Sequence, residues 1–93
     1  MFVVELVYAG NRDERLAVRP AHREYLTGLA TSGKLLAAGP WADETGAVMI
    51  FDVGDRAELD AILRADPYTP ARVVAQTRVR EWAPVVGGWL APG

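Results

Sequence analysis

Cysteine is absent from this chain of 93 residues, and histidine occurs only once. Without thiols, the protein has no disulfide framework, no thiolate metal site and no cysteine nucleophile. A transition-metal site built from side chains needs several imidazole, thiolate or carboxylate ligands around one point, and a single imidazole argues against such a site. The sequence therefore predicts a protein without a metal centre, and we expect no cofactor.

Long hydrophobic runs are also missing, since no apolar stretch approaches the ~20 residues that cross a bilayer. No basic segment followed by an apolar one precedes the first predicted strand, which begins at Phe2, so we expect no signal peptide and a cytoplasmic location. The arginines are scattered among acidic residues and the net charge is −2. Neither nucleic acid nor a membrane is therefore an expected partner.

The composition is that of an ordinary globular domain, because 51% of the residues are hydrophobic and 24% are charged. A chain of this length forms one domain with a core of modest size. We expect that domain to cover residues 1–84. Residues 85–93 are rich in glycine and proline, and we expect them to form an irregular C-terminal tail.

Four segments are rich in β-branched and aromatic residues, which predicts β-strands. These segments are residues 2–8, 34–41, 47–53 and 73–82. Pro40 interrupts the second strand, and because proline cannot donate to a strand ladder, we expect this strand at a sheet edge or at a bend. Residues 42–46 predict a hairpin loop between the second and third strands.

Two helices are expected between these strands. Pro20 suits the first turn of a helix and breaks a helix interior, so we predict a short helical turn over residues 12–18 and the main helix from about 19 to 32. Asp55 is a good N-cap for the second helix, which runs to about Ala65.

The order β-α-β-β-α-β predicts an α+β, ferredoxin-like fold in which both helices cover one face of a four-stranded antiparallel sheet. The first strand is apolar on both sides, with Val4 and Leu6 on one face and Val3 and Val7 on the other. Because little chain is left to cover the second face, we infer a homodimer packed sheet to sheet. The alternative is a monomer that exposes some valine and isoleucine.

The residues best suited to chemistry are His22 and Asp66. His22 lies on or beside the apolar stripe of the first helix, which continues through Tyr25, Leu26 and Leu29. Asp66 lies at the negative end of the second helix dipole, where a carboxylate needs a partner. A hydrogen bond from His22 would fix the imidazole tautomer and stabilise its charged form, an arrangement that suits a general acid or base.

Both residues also have a purely structural interpretation. A lone histidine on an apolar helix face is often a packing residue. Asp66 could simply cap the turn at Pro67, because the sequence Asp-Pro commonly opens turns. The residues alone leave both interpretations open.

Three separated segments resemble the YCII-related (YciI-like) family. RLAVRPAH at residues 15–22 looks like the start of the family's first helix, and GKLLAAGP at 33–40 looks like the helix exit and second strand. ADPY at 65–68 resembles the family's Asp-Pro-Phe/Tyr signature. The likeness extends from Phe2 to about Pro84, so residues 1–84 would form a YCII-related domain.

This resemblance implies a dimeric α/β barrel related to muconolactone isomerases, with a catalytic pair formed by the helix histidine, here His22, and the aspartate of the Asp-Pro motif, here Asp66. A characterised branch of the family eliminates chloride from a chlorinated hydroxyquinol without a cofactor, which implies acid–base chemistry. The chain departs from the family in its short loop at 42–46 and in the tail around Gly87-Gly88-Trp89. Both departures affect the expected shape of the pocket.

Four further residues are predicted to bind substrate. Arg19 lies one turn before His22 and could hold an anionic or enolate oxygen, or be a solvated charge. Pro40 would bend the second strand and open a cavity, with Trp41 as its wall or, alternatively, as an anchor in a protein interface. Tyr68 could offer its hydroxyl to the pocket or simply pack.

The leading functional hypothesis is a cofactor-independent lyase or isomerase in which His22 moves a proton on a small organic substrate and Asp66 orients it. The alternative is a homodimer that binds a small ligand, or supports a pathway as an accessory protein, without turnover. A haem or flavin-free oxygenase is a third hypothesis, and a histidine held by Asp66 in a narrow pocket argues against haem.

Overall fold

The computed structural model describes residues 1–89 and confirms the α+β fold, with the helices and strands in the predicted order and one additional short helix. The elements are β1 (Phe2–Tyr8), α1 (Arg12–Thr31), β2 (Leu35–Pro40), β3 (Gly46–Phe51), α2 (Arg56–Ala65), α3 (Tyr68–Ala71) and β4 (Val74–Glu81). Residues 82–89 contain neither helix nor strand. The rest of the predicted tail, residues 90–93, lies outside the described residues. No helix within residues 1–89 has the length and hydropathy of a membrane-spanning segment.

The four strands form one antiparallel sheet in the order β2-β3-β1-β4. β1 and β3 are central, and the strand that contains Pro40 is at an edge, as predicted. Val4 of β1 pairs with Met49 of β3 on one side and Val79 of β4 on the other, on the face that the helices cover. The buried core on this face consists of Phe2, Val4, Leu6, Leu35, Ala47, Met49, Phe51, Leu59 and Ile62.

The other side of the sheet, called the outer face below, carries the alternate residues of the central strands. Its central apolar side chains are Val3, Val7, Val48 and Ile50, which are only half-buried in the single chain. Glu5 lies on the same face and forms an ion pair of 3.0 Å with Arg78 of β4. The outer face is therefore largely apolar on β1 and β3, whereas β4 adds Arg78, paired with Glu5, and Arg80 opposite Val3.

The first helix differs from the prediction, because α1 is one continuous helix with Pro20 in its interior. An interior proline lacks the N–H that would bond to the carbonyl four residues earlier, which normally kinks or breaks a helix. Pro20 is exposed to solvent, so water can reach that carbonyl. Arg15 before the proline and His22 after it are both buried along one face of the helix. The burial of residues on both sides of Pro20 thus outweighs the tendency of proline to break a helix.

The second helix is positioned by its cap and by a bond to α1. Oδ1 of Asp55 accepts a hydrogen bond from the backbone N–H of Glu58 at 2.8 Å, as expected of an N-cap. Tyr25 of α1 donates its hydroxyl to the backbone carbonyl of Ile62 at 2.7 Å. This bond links α2 to α1.

The end of α2 is shaped by the sequence Asp66-Pro67. Asp66 adopts an extended conformation with φ −66° and ψ 130°, because a residue that precedes proline avoids the helical region. Pro67 then leads into α3, which ends at Arg72 in the left-handed conformation with φ 55°. The bend leaves the side chain of Asp66 buried and directed at α1.

Replacing Pro20 with alanine tests the continuous helix. We expect Pro20→Ala to raise the free energy of unfolding by about 1–3 kcal/mol, because alanine restores the missing backbone hydrogen bond and has the highest helix propensity. Urea unfolding followed by circular dichroism measures the change. Two separate helical segments meeting near residue 19 would instead give no stabilisation on removal of the proline.

Candidate active site

A cavity of about 380 Å³ lies between one face of α1 and the edge strand β2. Its size falls in the range of small-molecule sites. Met49 contributes to its apolar part, while Tyr8 of β1 and Tyr68 of α3 add two aromatic rings. Most of its polar side chains come from α1, namely Arg15, Arg19, His22, Arg23 and Thr27.

His22 and Asp66 form a direct contact beside this cavity. Nδ1 of His22 lies 2.7 Å from Oδ1 of Asp66, and the two side chains are only 9% and 6% exposed. A carboxylate can only accept, so the contact is a hydrogen bond to the carboxylate in the tautomer that carries its hydrogen on Nδ1. This bond fixes the orientation of the ring and leaves Nε2 as the nitrogen that can accept a proton.

Asp66 also shapes the turn that follows it. The same oxygen, Oδ1, accepts a second hydrogen bond from the backbone N–H of Tyr68 at 2.9 Å. The two interpretations left open by the sequence are therefore compatible, because one carboxylate oxygen caps the Asp-Pro turn and contacts His22. The turn holds the carboxylate in place before any ligand arrives.

Tyr68 stacks on the imidazole of His22. The ring centroids are 3.7 Å apart and the planes differ by 4°, so the phenol ring covers one face of the imidazole. Tyr8 meets the ring of Tyr68 edge to face, with 6.4 Å between centroids. Within residues 1–89, Nε2 of His22 has no hydrogen-bond partner, and His22 lines the cavity. A ligand in the cavity could therefore reach Nε2.

The phenols that line the cavity are held in their neutral form. Burial raises the pKa of Tyr8 above its ordinary value of 10.0, although Arg15, Arg23 and Arg19 each act to lower it. Burial likewise raises the pKa of Tyr68, with the same three arginines acting in the opposite direction. Both hydroxyls can therefore donate hydrogen bonds to a ligand at neutral pH.

Three arginines give the cavity a positive wall. Arg15, Arg19 and Arg23 follow one another at intervals of four residues, which places them on one face of α1. The lining contains one acidic residue in the described part of the chain, Glu44, which lies 3.8 Å from the exposed Arg12. This excess of positive charge would attract an anionic ligand.

The structure brings most of the predicted site residues together. Arg19, His22, Pro40 and Tyr68 line the cavity, and Asp66 lies directly behind His22. Trp41 is the exception, because it is 42% exposed and does not line the cavity. Its ring lies beside Gly46, where an added Cβ would come within 3.3 Å of Cδ1 of the indole. The geometry therefore favours the interface alternative for this tryptophan, and the functional roles of the others stay predictions.

A β-bulge explains the position of Trp41. The register between β2 and β3 shifts between Leu35 and Ala37. Strict alternation from the buried Leu35 would turn residue 41 towards the helices. The extra residue of the bulge places Ala38 and Pro40 on that side instead, so Trp41 points to the outer face.

The residues of the cavity that were not predicted from the sequence include Tyr8, Arg15 and Arg23. Arginine recurs every four residues around His22, and this spacing could have shown that the three arginines share its helix face. Tyr8 gave no comparable signal, since it only continued the apolar side of β1.

Within residues 1–89, no three histidine, aspartate or glutamate side chains form a group that could hold a metal ion.

The fold and the paired histidine define a class of small ferredoxin-like domains with a ligand cavity beside the first helix. The sequence matches the YCII-related domain model over residues 1–83, and the chain belongs to this family, as the sequence resemblance indicated. Protein YciI of Escherichia coli O6:H1 (strain CFT073) and Protein YciI of Shigella flexneri are each 33% identical to it over 87 residues. The matched region covers 83% of this chain and 89% of each relative.

One solved structure is similar over almost the whole chain. It is 5-chloro-2-hydroxyhydroquinone dehydrochlorinase (TftG) from Burkholderia phenoliruptrix AC1100, in complex with 2,5-dihydroxybenzoquinone. The TM-score is 0.78 at 25% identity, and the match covers 88% of this chain and 92% of the other. This similarity confirms the ferredoxin-like fold and the relation to the dimeric α/β-barrel superfamily.

Titration of the tyrosines tests the environment of the cavity. All three tyrosines of the protein, Tyr8, Tyr25 and Tyr68, have a pKa raised above 10.0 chiefly by burial. At pH 10 we therefore expect less tyrosinate absorbance in the folded protein than in the protein unfolded by urea. Since the folded state holds these protons more tightly, the contribution of the tyrosines to the free energy of unfolding should be constant well below pH 10 and fall as the pH rises further.

The control for this titration is Tyr8→Phe, which removes one of the cavity phenols. This substitution should lower the final tyrosinate absorbance, and the pKa values of the two remaining phenols should stay above 10.0. Identical titration curves for the folded and the unfolded protein would show that the three rings are open to water and would contradict the packing described above.

Proposed function

We propose that this protein is a cofactor-independent lyase or isomerase in which His22 moves a proton on a small organic substrate and Asp66 holds the imidazole in position. The observation that carries the proposal is the buried 2.7 Å contact between Nδ1 of His22 and Oδ1 of Asp66, beside a cavity that His22 lines. A histidine oriented in this way by a carboxylate is suited to general acid–base catalysis near neutral pH.

In the proposed reaction, Nε2 of His22 accepts a proton from the substrate, and Asp66 stabilises the imidazolium that forms. The electron pair left on the substrate forms a double bond as a leaving group departs with its own bonding pair, which completes an elimination. In an isomerisation, the imidazolium returns the proton to a different atom. Neither reaction changes the redox state of the protein. Proton transfer balances the isomerisation, and proton transfer together with departure of the leaving group balances the elimination.

The neutral phenols and the arginines would support this chemistry. A developing oxyanion on the substrate is stabilised by positioned donors in a site from which water is partly excluded. Tyr8 and Tyr68 retain their hydroxyl protons, and Arg19 lines the cavity one helical turn from His22. These groups are the proposed substrate-binding residues, together with Pro40 in the wall formed by β2.

The similar solved protein gives independent support for an elimination. It is named a dehydrochlorinase and was solved with 2,5-dihydroxybenzoquinone, a planar cyclic molecule. A cavity of about 380 Å³ in the present chain has room for a molecule of that kind. We therefore propose a small, cyclic or enolisable substrate, without assigning the substrate of that protein to this one.

Substitution of His22 tests the proposed catalysis. Chloride release from 5-chloro-2-hydroxyhydroquinone and deuterium exchange into a panel of enolisable ketones serve as assays. We expect His22→Gln to lower the rate by about 10²–10⁴-fold, because a positioned acid–base group contributes that much. Asp66→Asn should cause a smaller loss, since the imidazole remains but its orientation and its charged form are less well supported.

Tyr25→Phe is a matched structural control, because it removes the partly buried hydrogen bond to the carbonyl of Ile62, and Tyr25 does not line the cavity. It should lower the free energy of unfolding by about 1 kcal/mol and leave the rate unchanged. A His22→Gln variant that is destabilised by several kcal/mol but keeps its rate would mark a structural pair. A protein that binds these compounds and turns over none of them would be the alternative, a non-catalytic ligand-binding or accessory protein.

We further propose that the active form is a homodimer packed through the outer faces of two sheets. Val48 and Ile50 leave apolar surface half-exposed at the centre of this face. Trp41 and Trp82, which are 42% and 39% exposed, follow residues that face the helices and so lie on the outer side. Exposed aromatic side chains around an apolar centre are typical of protein interfaces. A second copy of the same sheet would cover all of them.

A charge at the centre of the outer face should disrupt this dimer. We expect wild-type protein at micromolar concentration to scatter light as a dimer, and Ile50→Glu to scatter as a monomer, because a buried carboxylate without a partner is unfavourable. Val85→Glu is the matched control, since Val85 is 89% exposed and lies outside the sheet. A monomeric wild-type protein would contradict the proposed assembly.

A further inference from the structure

We propose that the substrate carries a carboxylate group and that Arg15 binds this group in the plane of its guanidinium. This inference rests on the proposed function and specifies the class of substrate for the same cavity. It starts from the one cation of the cavity lining that is almost fully buried, since Arg15 is only 6% exposed.

Arg15 has no anionic partner in the described part of the chain. The ion pairs within residues 1–89 involve other side chains, and the guanidinium of Arg15 makes no hydrogen bond there. A guanidinium stays protonated in proteins, so the charge persists in the buried position. Buried charges are normally paired, which means that this cation is set up to receive an anion from the cavity.

The ring of Tyr8 fixes the direction from which an anion can approach. Cζ of Arg15 lies 3.9 Å from the centroid of Tyr8, a cation–π contact that covers one side of the guanidinium. With that side occupied, the N–H groups at the edge remain available. An arginine edge pairs best with a planar group that offers two oxygens, and a carboxylate has this geometry.

The arrangement of α1 supports a functional explanation for this charge. Arg15, Arg19 and Arg23 repeat every four residues, and like charges at this spacing destabilise a helix. Glu44 is the only acid in the described lining, and it lies near Arg12 outside the row. An anionic ligand would relieve the repulsion among the three arginines, and Arg15 would be its most desolvated contact.

The distance along α1 also constrains the substrate. Arg15 and His22 are seven residues apart, which is about 10 Å along a helix axis. The rings of Tyr8 and Tyr68 connect the guanidinium to the imidazole by successive contacts, because Tyr8 lies against Arg15, Tyr68 stacks on His22, and the two rings meet edge to face. A substrate bound to Arg15 would therefore present to Nε2 of His22 a hydrogen several atoms away from its carboxylate, as across a ring.

Binding of benzoate tests this inference without any turnover. Isothermal titration of the full chain with benzoate should give saturable binding, and benzamide, a neutral molecule of the same shape, should bind at least about tenfold more weakly. Arg15→Gln should weaken benzoate binding at least about tenfold. Arg15→Lys, which keeps the charge and loses the planar fork, should give an intermediate affinity.

Arg56→Gln is the matched control, because Arg56 is an exposed arginine of α2 that does not line the cavity. It should bind benzoate like the wild type. Equal affinities for benzoate and benzamide, or unchanged benzoate binding by a folded Arg15→Gln, would overturn the inference. Arg15→Lys with wild-type affinity would also overturn it, because that outcome does not fit a planar fork. Equally tight binding of inorganic phosphate would overturn the assignment to a carboxylate, since a guanidinium pairs bidentately with phosphate as well.

The same measurements separate this inference from the proposed catalysis. Arg15-dependent benzoate binding combined with no His22-dependent reaction would leave the carboxylate site standing and refute the enzyme. His22-dependent proton transfer in a protein that does not distinguish benzoate from benzamide would leave the enzyme standing and refute the carboxylate site.

Discussion

The contact between Nδ1 of His22 and Oδ1 of Asp66 is the interaction on which the helical layer depends. The two residues are 44 positions apart, and each side chain is buried where an unpaired polar group would be unfavourable. The contact therefore joins α1 to the end of α2. Its geometry comes from the Asp-Pro bend, in which the backbone N–H of Tyr68 holds the same carboxylate oxygen and the ring of Tyr68 covers the imidazole. One short sequence, residues 66–68, thus determines the partner, the orientation and the packing of the histidine.

Features that depend on regular alternation could be predicted from the sequence, and features that depend on a local exception could not. Val4 and Leu6 face the core because strand residues alternate, and β1 lies at the sheet centre because it is apolar on both sides. Pro20 misled the prediction of α1, since local propensity carries no information about the burial of residues on both sides of it. The bulge after Leu35 likewise reverses the side on which Trp41 lies, and one inserted residue in a ladder leaves no mark in the hydrophobic pattern.

The candidate site shows the same division. His22 and Asp66 were identified because a lone imidazole and a carboxylate at a helix end are chemically unusual on apolar stripes. Arg15 was not, because an arginine near the start of a helix looks like an ordinary solvated charge. Its burial depends on Tyr8, which comes from a different element and lies beneath it only after β1 and α1 have packed. Contacts between elements that are distant from the Asp-Pro motif thus place a buried positive charge beside the cavity.

Three features of α1, the helix that carries most of the candidate site, lower its stability. It contains an interior proline, a row of like charges and a buried arginine without a carboxylate partner in the described chain. A domain of this size has little core with which to offset such costs. The outer face of the sheet carries apolar side chains that are only half-buried in the described chain, so pairing of two sheets would supply further burial. The proposed dimer and the proposed site are therefore linked, because burial on one side of the sheet would stabilise a helix shaped for chemistry on the other.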